Sequence, residues 1–271
     1  MTAPIVVAFG AATHTGLRRA LNEDSFVAQA PLFLVADGMG GHEAGEIASS
    51  AVIEAFRPVI GKSSLVLSDL RDAIARARTA VGELGVGGGS TAGSTLTGVV
   101  FASVDGVGYW LTVNIGDSRT YRLSEGQLEQ LTIDHSVVQE LIDSGELDAA
   151  QAHEDRRRNI ITRAIGAGST GEVDYSMVPA EAGDRVLVCS DGLSSEVPDA
   201  VIAEILRNTA DPQQAADQLV ERALGNGGRD NITAIVLDAV HVSVRPDGAR
   251  ADDTDIDSDT RPRAEALEGL R

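Results

Sequence analysis

The chain is poor in cysteine, in positive charge and in long apolar runs, and each shortage removes a class of function. Its single cysteine, Cys189, among 271 residues leaves no intrachain disulfide and no Cys-rich zinc site, and points to a reducing compartment. A cysteine phosphatase would need an arginine six positions on, where Ser195 stands instead. Lys and Arg total 22 against 41 Asp and Glu, a formal net charge of −19, which argues against nucleic acid or an anionic membrane as the main partner and suits binding of cations. No apolar run approaches the ~18 residues of a transmembrane helix, and residues 1–16 lack the basic region of a signal peptide, so the protein is expected to be cytoplasmic and off the membrane; a monomer is expected. The glycine-dense stretch Gly85 to Gly93 has no following lysine, so it fails the Walker pattern and reads as a flexible entry to a strand. No internal repeat is found.

What is present is a recurring arrangement of acids. Leu32 to Ala36 is an unbroken apolar run, the pattern of a strand covered on both faces. It closes on Asp37, followed by Gly38, Gly40 and Gly41, a backbone free to approach a ligand. Val107 to Ile115 closes on Gly116-Asp117, and Val186 to Ser190 on Asp191-Gly192. Two further sites precede strands: Asn22-Glu23-Asp24 before Ser25 to Gln29, and Asp230-Asn231 before Ile232 to Leu237. In an antiparallel sheet the end of one strand lies beside the start of its neighbour, so all five sites can gather at one rim. Clustered carboxylates raise one another's pKa, and the cluster therefore implies a site for several cations. Arg18 and Arg19 beside Glu23 and Asp24 read either as a surface ion-pair network or as a second grip on a bound phosphate.

Elsewhere the pattern predicts a strand at Ile5 to Phe9 and a loop at Gly10 to Gly16. A helix is expected from Glu43 to Pro58 with Ile47, Ala51, Val52, Ala55 and Phe56 on one face, and a second helix at Leu67 to Leu84. A strand at Ser94 to Ala102 and hairpins at Asp105-Gly106 and Glu125-Gly126 follow. Residues of about 135–168 read as a flap insert, with His135 and Ser136 structural at its root. Arg156 to Arg158 is either a solvated face or a help in attracting an acidic phosphopeptide. Helices are expected at Ala200 to Leu206 and Pro212 to Leu224, the latter capped by Asp211. Hairpin connections and flanking helices predict an α/β sandwich of mostly antiparallel sheets. The catalytic domain is expected over residues 1–240, with residues 241–271 a disordered acidic tail.

Taken in order, Arg19-Ala20-Leu21-Asn22-Glu23-Asp24, Asp37-Gly38-Met39-Gly40-Gly41-His42, Gly93-Ser94-Thr95, Gly116-Asp117-Ser118-Arg119, Asp134-His135-Ser136, Ile161-Thr162-Arg163-Ala164-Ile165-Gly166, Ser190-Asp191-Gly192-Leu193 and Asp230-Asn231-Ile232-Thr233 resemble the motifs of bacterial metal-dependent serine/threonine protein phosphatases of the type 2C (PPM) family. The resemblance covers about residues 5–239. It implies two central, mostly antiparallel sheets flanked by helix pairs in four αββα layers. Two Mg²⁺ or Mn²⁺ ions at one end, with a weaker third, would activate a bridging water for direct attack on phosphoserine or phosphothreonine without a phosphoenzyme. By position, Asp37 is similar to the carboxylate that bridges both metals, with the Gly38 carbonyl on one, while Asp191 and Asp230 complete the other. Asp24 and Glu23 match residues that orient metal-bound water, Asp24 being counted with the ligands and Glu23 with Asn231 behind them. Asp117 with Asp191 matches the third-metal site, and Arg19 the phosphate-binding arginine. His42 could protonate the leaving oxygen or brace the glycine loop, and both readings stay open. The partners implied are phosphorylated proteins and an opposing serine/threonine kinase.

Overall fold

The structure is a computed structural model that describes residues 3–40, 44–84, 92–148, 151, 155–157, 160–169 and 171–244. The apolar strands are covered on both sides, and alternate residues of each go to different cores. In β3 (Leu32–Met39), Leu32, Leu34 and Ala36 pack with Ala48, Val52, Phe56, Leu70 and Ala77 of the helical layer. Phe33 and Val35, on the opposite face, pack with Val99, Phe101 and Trp110 and, from a second sheet, Val186, Val188, Ile235 and Leu237. In β11 (Arg185–Cys189), Leu187 and Cys189 meet a separate helical core that includes Ile202, Leu206, Leu219 and Ala223. Successive strand side chains point to opposite faces, so three cores stacked through two sheets require four layers: helices, sheet, sheet, helices.

Every strand pairing is antiparallel. One sheet has the order β1 (Ile5–His14), β12 (Ile232–Val242), β11, β7 (Arg119–Ser124), β8 (Gln127–Gln130). The other runs β10 (Asp174–Pro179), β6 (Val107–Ile115), β5 (Leu96–Val104), β3, β2 (Asp24–Gln29), with the two-residue strands β4 (Gly93–Ser94) and β9 (Ile165–Gly166) added where β3 continues past Asp37. Helices α1 (Ala44–Glu54) and α2 (Leu67–Leu84) cover this second sheet; α4 (Asp191–Ser194), α5 (Asp199–Asn208) and α6 (Pro212–Asn226) cover the first. A short helix, α3 (Val137–Asp143), is capped by Ser136, whose hydroxyl accepts from the Gln139 amide at 3.2 Å. The Asp211 cap on α6 is present as expected, accepting from the Gln214 amide at 2.8 Å.

Four expectations need correction. The segment read as a loop from Gly10 is strand as far as His14, because β12 pairs with it to the register Ile232↔His14. Gly10 sits there because α6 crosses it closely: a Cβ would lie 2.2 Å from the Gln213 Cα. Ile47 points outward at 49% exposure, and Ala48, Ser49 and Val52 line the inner face of α1 instead. The strand expected over Ser94 to Ala102 is interrupted at Thr95, whose amide keeps its in-register bond to the Asp37 carbonyl at 2.9 Å while the Asp37 amide turns to the Thr95 hydroxyl at 3.0 Å. β10 was not anticipated, since an edge strand with mainly exposed side chains carries no apolar run. Both two-residue hairpins form, with positive φ at Asp105 and Gly106 (52° and 83°) and at Glu125 and Gly126 (49° and 78°), as the strand twist demands. Val242 at the end of β12 is buried, so the described fold runs past residue 240. The tail from residue 245, His42 and the glycines from Gly85 to residue 91 lie outside the described residues. Among the described residues no helix is long and apolar enough to cross a membrane.

Candidate metal centre

The five acidic sites converge where the two sheets meet at one end, so the rim anticipated from strand direction is shared between sheets. Asp24 and Asp37 are direct register partners across β2 and β3. Asp117 follows β6 in the same sheet, while Asp191 follows β11 and Asp230 precedes β12 in the other. Cross-links seal the junction. The Asp24 carboxylate accepts from the Ser190 and Thr233 hydroxyls, each at 2.7 Å, joining β2 to the facing sheet. Thr95 holds Asp37 from both sides: its amide donates to the Asp37 carbonyl and its hydroxyl accepts from the Asp37 amide at 3.0 Å. The same hydroxyl lies 2.8 Å from that of Ser118, next to Asp117.

The electrostatics follow from this crowding. Burial pushes the Asp37 carboxyl well above its usual range, and the charges of Asp24, Asp191, Asp117 and Asp230 push it further. Burial raises Asp24 to about 7 despite its two hydroxyl donors, with Asp191 and Asp230 adding repulsion. Asp191 rises to about 6, first through burial and then through Asp230, while a hydrogen bond with Asp37 opposes the rise. Asp117 is likewise raised well above the normal value, by burial and then by Asp191 and Asp134. Burial also raises Glu23, against the pull of Arg19. Carboxyls raised in this way favour their protonated forms until a positive charge stands beside them.

A cation would take the place of those protons. Glu23 Oε1, Asp24 Oδ1 and Asp191 Oδ1 are enclosed oxygens without a hydrogen-bond partner, an expensive state for a carboxylate unless something positive is expected beside it. Among the described residues no group of three or more His, Cys, Asp or Glu side chains already stands in a cation-holding arrangement. The donor set is all oxygen, suited to a hard divalent ion. At Gly38 the backbone is pinched between segments: its amide donates to the Glu23 carbonyl at 3.1 Å, and a Cβ would lie 2.1 Å from the Gly45 carbonyl oxygen.

Arg19 stands at the mouth, its side chain 48% exposed, donating to Asp230 at 2.7 Å and lying 3.9 Å from Glu23. The Asp230 bond leads the effects that raise its pKa. Asn231 does more than sequence reasoning anticipated. Its Oδ1 accepts from the Glu23 amide at 2.8 Å, and its Nδ2 donates to the Thr15 and Leu21 carbonyls at 2.9 and 2.8 Å. One side chain thus fixes the loop that carries Arg19 and Glu23. Asn231→Ala should cost about 1–3 kcal/mol in urea unfolding, because it removes the partner of three part-buried backbone groups, and should weaken every function that depends on that loop. Thr95, Ser118, Ser190 and Thr233 stand in the motifs quoted from the sequence but carried no assigned role; Ser118, Ser190 and Thr233 lie within three positions of an acid, and Thr95 has no such local signal. Arg157 pairs with Asp155 beside it in sequence at 2.8 Å, as a solvated charged face would.

The sequence profile described as protein phosphatase 2C matches residues 17–226. The chain belongs to the protein phosphatase 2C family. It is 40% identical over 243 residues to the serine/threonine protein phosphatase PstP of Mycobacterium tuberculosis, a match that covers 87% of this chain and 46% of that protein. The chain therefore spans about half the length of that relative. It is 35% identical over 219 residues to the serine/threonine phosphatase stp of Listeria monocytogenes, covering 77% of this chain and 84% of that one. Among solved structures, the catalytic domain of PstP in complex with two manganese ions superposes with a TM-score of 0.79 at 38% identity, covering 88% of this chain and all of that one. A phosphatase of Mycobacterium smegmatis in complex with cacodylate gives 0.79 at 35% identity over 88% of this chain and 100% of that one. The four-layer sandwich expected from the family resemblance is the fold observed.

Proposed function

We propose that this protein phosphatase 2C domain is a Mg²⁺- or Mn²⁺-dependent enzyme that hydrolyses phosphoserine and phosphothreonine in proteins by direct attack of water. The observation that carries the reading is the set of enclosed, unpartnered carboxylate oxygens on Glu23, Asp24 and Asp191 gathered about the buried Asp37. Asp37 and the Gly38 carbonyl, with Asp191 and Asp230, would hold two cations, Asp24 and Glu23 would orient the surrounding water, and Asp117 with Asp191 would form a weaker third position. Divalent ions held there would lower the pKa of a bound water toward neutrality and polarise phosphoryl oxygens.

The chain's own side chains supply the rest. The planar fork of Arg19, at the mouth beside Asp230, suits two oxygens of a phosphate monoester. Thr95, Ser190 and Thr233 hold Asp37 and Asp24 in place before any ligand arrives. The absence of a phosphoenzyme is supported by the state of the nearby nucleophiles. Burial pushes the Cys189 thiol up to about 12, the Ser190 hydroxyl is engaged by Asp24 and the Thr233 amide, and that of Ser118 by Thr95. The substrate class would be phosphorylated proteins, supplied by a serine/threonine kinase, and the chain would act as a monomer.

The test is release of phosphate from a phosphothreonine peptide under titration with Mn²⁺ and with a chelator. Turnover should require the cation and be abolished by the chelator; turnover that survives chelation sinks the reading. A small phosphate ester hydrolysed far better than any phosphopeptide would keep the chemistry and remove the protein substrate.

A further inference from the structure

His135 is almost fully buried, at 4% exposure, and it clamps one glycine from both sides. Its amide donates to the Gly116 carbonyl at 2.9 Å, and its Nδ1 accepts from the Gly116 amide at 3.1 Å. Gly116 has φ +107°, and a Cβ there would lie 2.5 Å from the Thr95 side chain. The turn that launches Asp117 is therefore held between Thr95, which also fixes Asp37, and the imidazole. With Nδ1 accepting, the ring proton is on Nε2, and it is donated to Asp174 at 3.0 Å. An Nε2 that carries a proton cannot also accept from Arg163, 3.2 Å away, so the guanidinium is held by the other Asp174 oxygen at 3.3 Å.

Arg163 belongs to the returning limb of the flap, and that limb is itself stitched to His135. The Thr162 amide donates to the His135 carbonyl at 2.8 Å, the Val137 amide donates to the Ile160 carbonyl at 2.9 Å, and Ser136 bridges to Ile161. One imidazole thus stands between the Asp117 turn on one side and the flap limb with the start of β10 on the other.

We infer that His135 is a positioning residue for the cation site at Asp117, and that the relay through Asp174 and Arg163 couples the seating of the flap's returning limb to cation affinity there. The inference rests on the proposed role of Asp117 as a ligand. A turn held by one amide-to-imidazole bond sets the direction of the next side chain. A ring held by a carboxylate keeps the tautomer that makes that bond, the logic by which partners behind a ligand tune a metal site.

The test is Mn²⁺ binding by calorimetry on the full chain without substrate. Asp117→Asn should remove the weakest binding phase. His135→Gln, which keeps a donor toward Asp174 but no acceptor at the Nδ1 position, should weaken that phase roughly tenfold and leave the tighter phases unchanged. His135→Asn, whose Oδ1 can take the Gly116 amide, should restore most of the loss. Asp174→Ala, at a side chain 52% exposed, disturbs no core and should weaken the same phase alone, so it carries the test even if a His135 variant fails to fold. If Asp117→Asn removes the weak phase while His135→Gln and Asp174→Ala leave it intact, or if they weaken every phase alike, the inference is wrong. If Asp117→Asn leaves all binding unchanged, the ligand role of Asp117 fails and the inference falls with it.

Discussion

Asparagine in place of Asp37 should lower kcat for phosphopeptide hydrolysis by roughly 10³-fold or more while raising the melting temperature of the cation-free protein. The two effects have opposite signs because the same carboxylate is costly to the apo fold and necessary to the chemistry. Asp37 is pressed by burial and by four neighbouring acids. A neutral amide of the same shape removes that repulsion and can donate a hydrogen bond to the Asp191 carboxylate. The relief should be about 1–3 kcal/mol, or roughly 3–10 °C in a domain of this size. Steady-state kinetics with saturating Mn²⁺ and calorimetric unfolding with a chelator make the measurement. A variant that lost stability together with activity would show Asp37 to be a packing residue, and a variant that kept activity would remove it from the site.

The second large effect is on the pH dependence of stability. Carboxyls whose pKa is raised by folding bind more protons in the folded state than in the unfolded one. Their contribution is fully present below the unfolded value near 4 and is lost as pH rises through the folded values. For Asp191 and Asp24 those folded values are about 6 and about 7. In a chelator, therefore, the protein should lose stability steadily between about pH 4 and pH 7, by a few kcal/mol after allowance for solvent screening at the partly exposed rim. Asp69, lowered by its bond to Lys62, and Asp155, lowered to about 2 by Arg157, act in the opposite sense. Their pH window lies below the unfolded carboxyl value and leaves the predicted slope visible. Adding Mn²⁺ at pH 7 should reverse the loss, with about 3 kcal/mol per site at a hundredfold excess over Kd. Thermal unfolding across pH with and without the ion would show both; a chelated protein equally stable at pH 5 and pH 7 would refute the account.

Both effects arise from acids that could be found by reading strands. Leu32 to Ala36 and Val186 to Val188 show double-sided burial in their composition alone, and an Asp closing each run is visible without coordinates. The helix at Leu67–Leu84 and the Asp211 cap were legible for the same reason, since they follow from local spacing and local hydrogen bonding. Edge strand β10 was not legible, because nothing covers its outer side and so nothing selects apolar residues there. Nor was the inner face of α1, where Ile47 is outside and Ala48 inside. Close approach to a sheet favours the small residue, and periodicity alone favours the large one.

What local pattern settles, then, is which positions are covered, where elements begin and end, and that several strand ends carry a negative charge. Partnership between distant positions was settled only by folding. Asn231 reaching Thr15, Leu21 and Glu23, and Thr233 and Ser190 meeting on Asp24, are hydrogen bonds across most of the chain, and His135 closes on Gly116 across a hairpin. A donor or acceptor looks the same in sequence whether its partner is water or a residue two hundred positions away. The packing of two sheets face to face is what chooses between them.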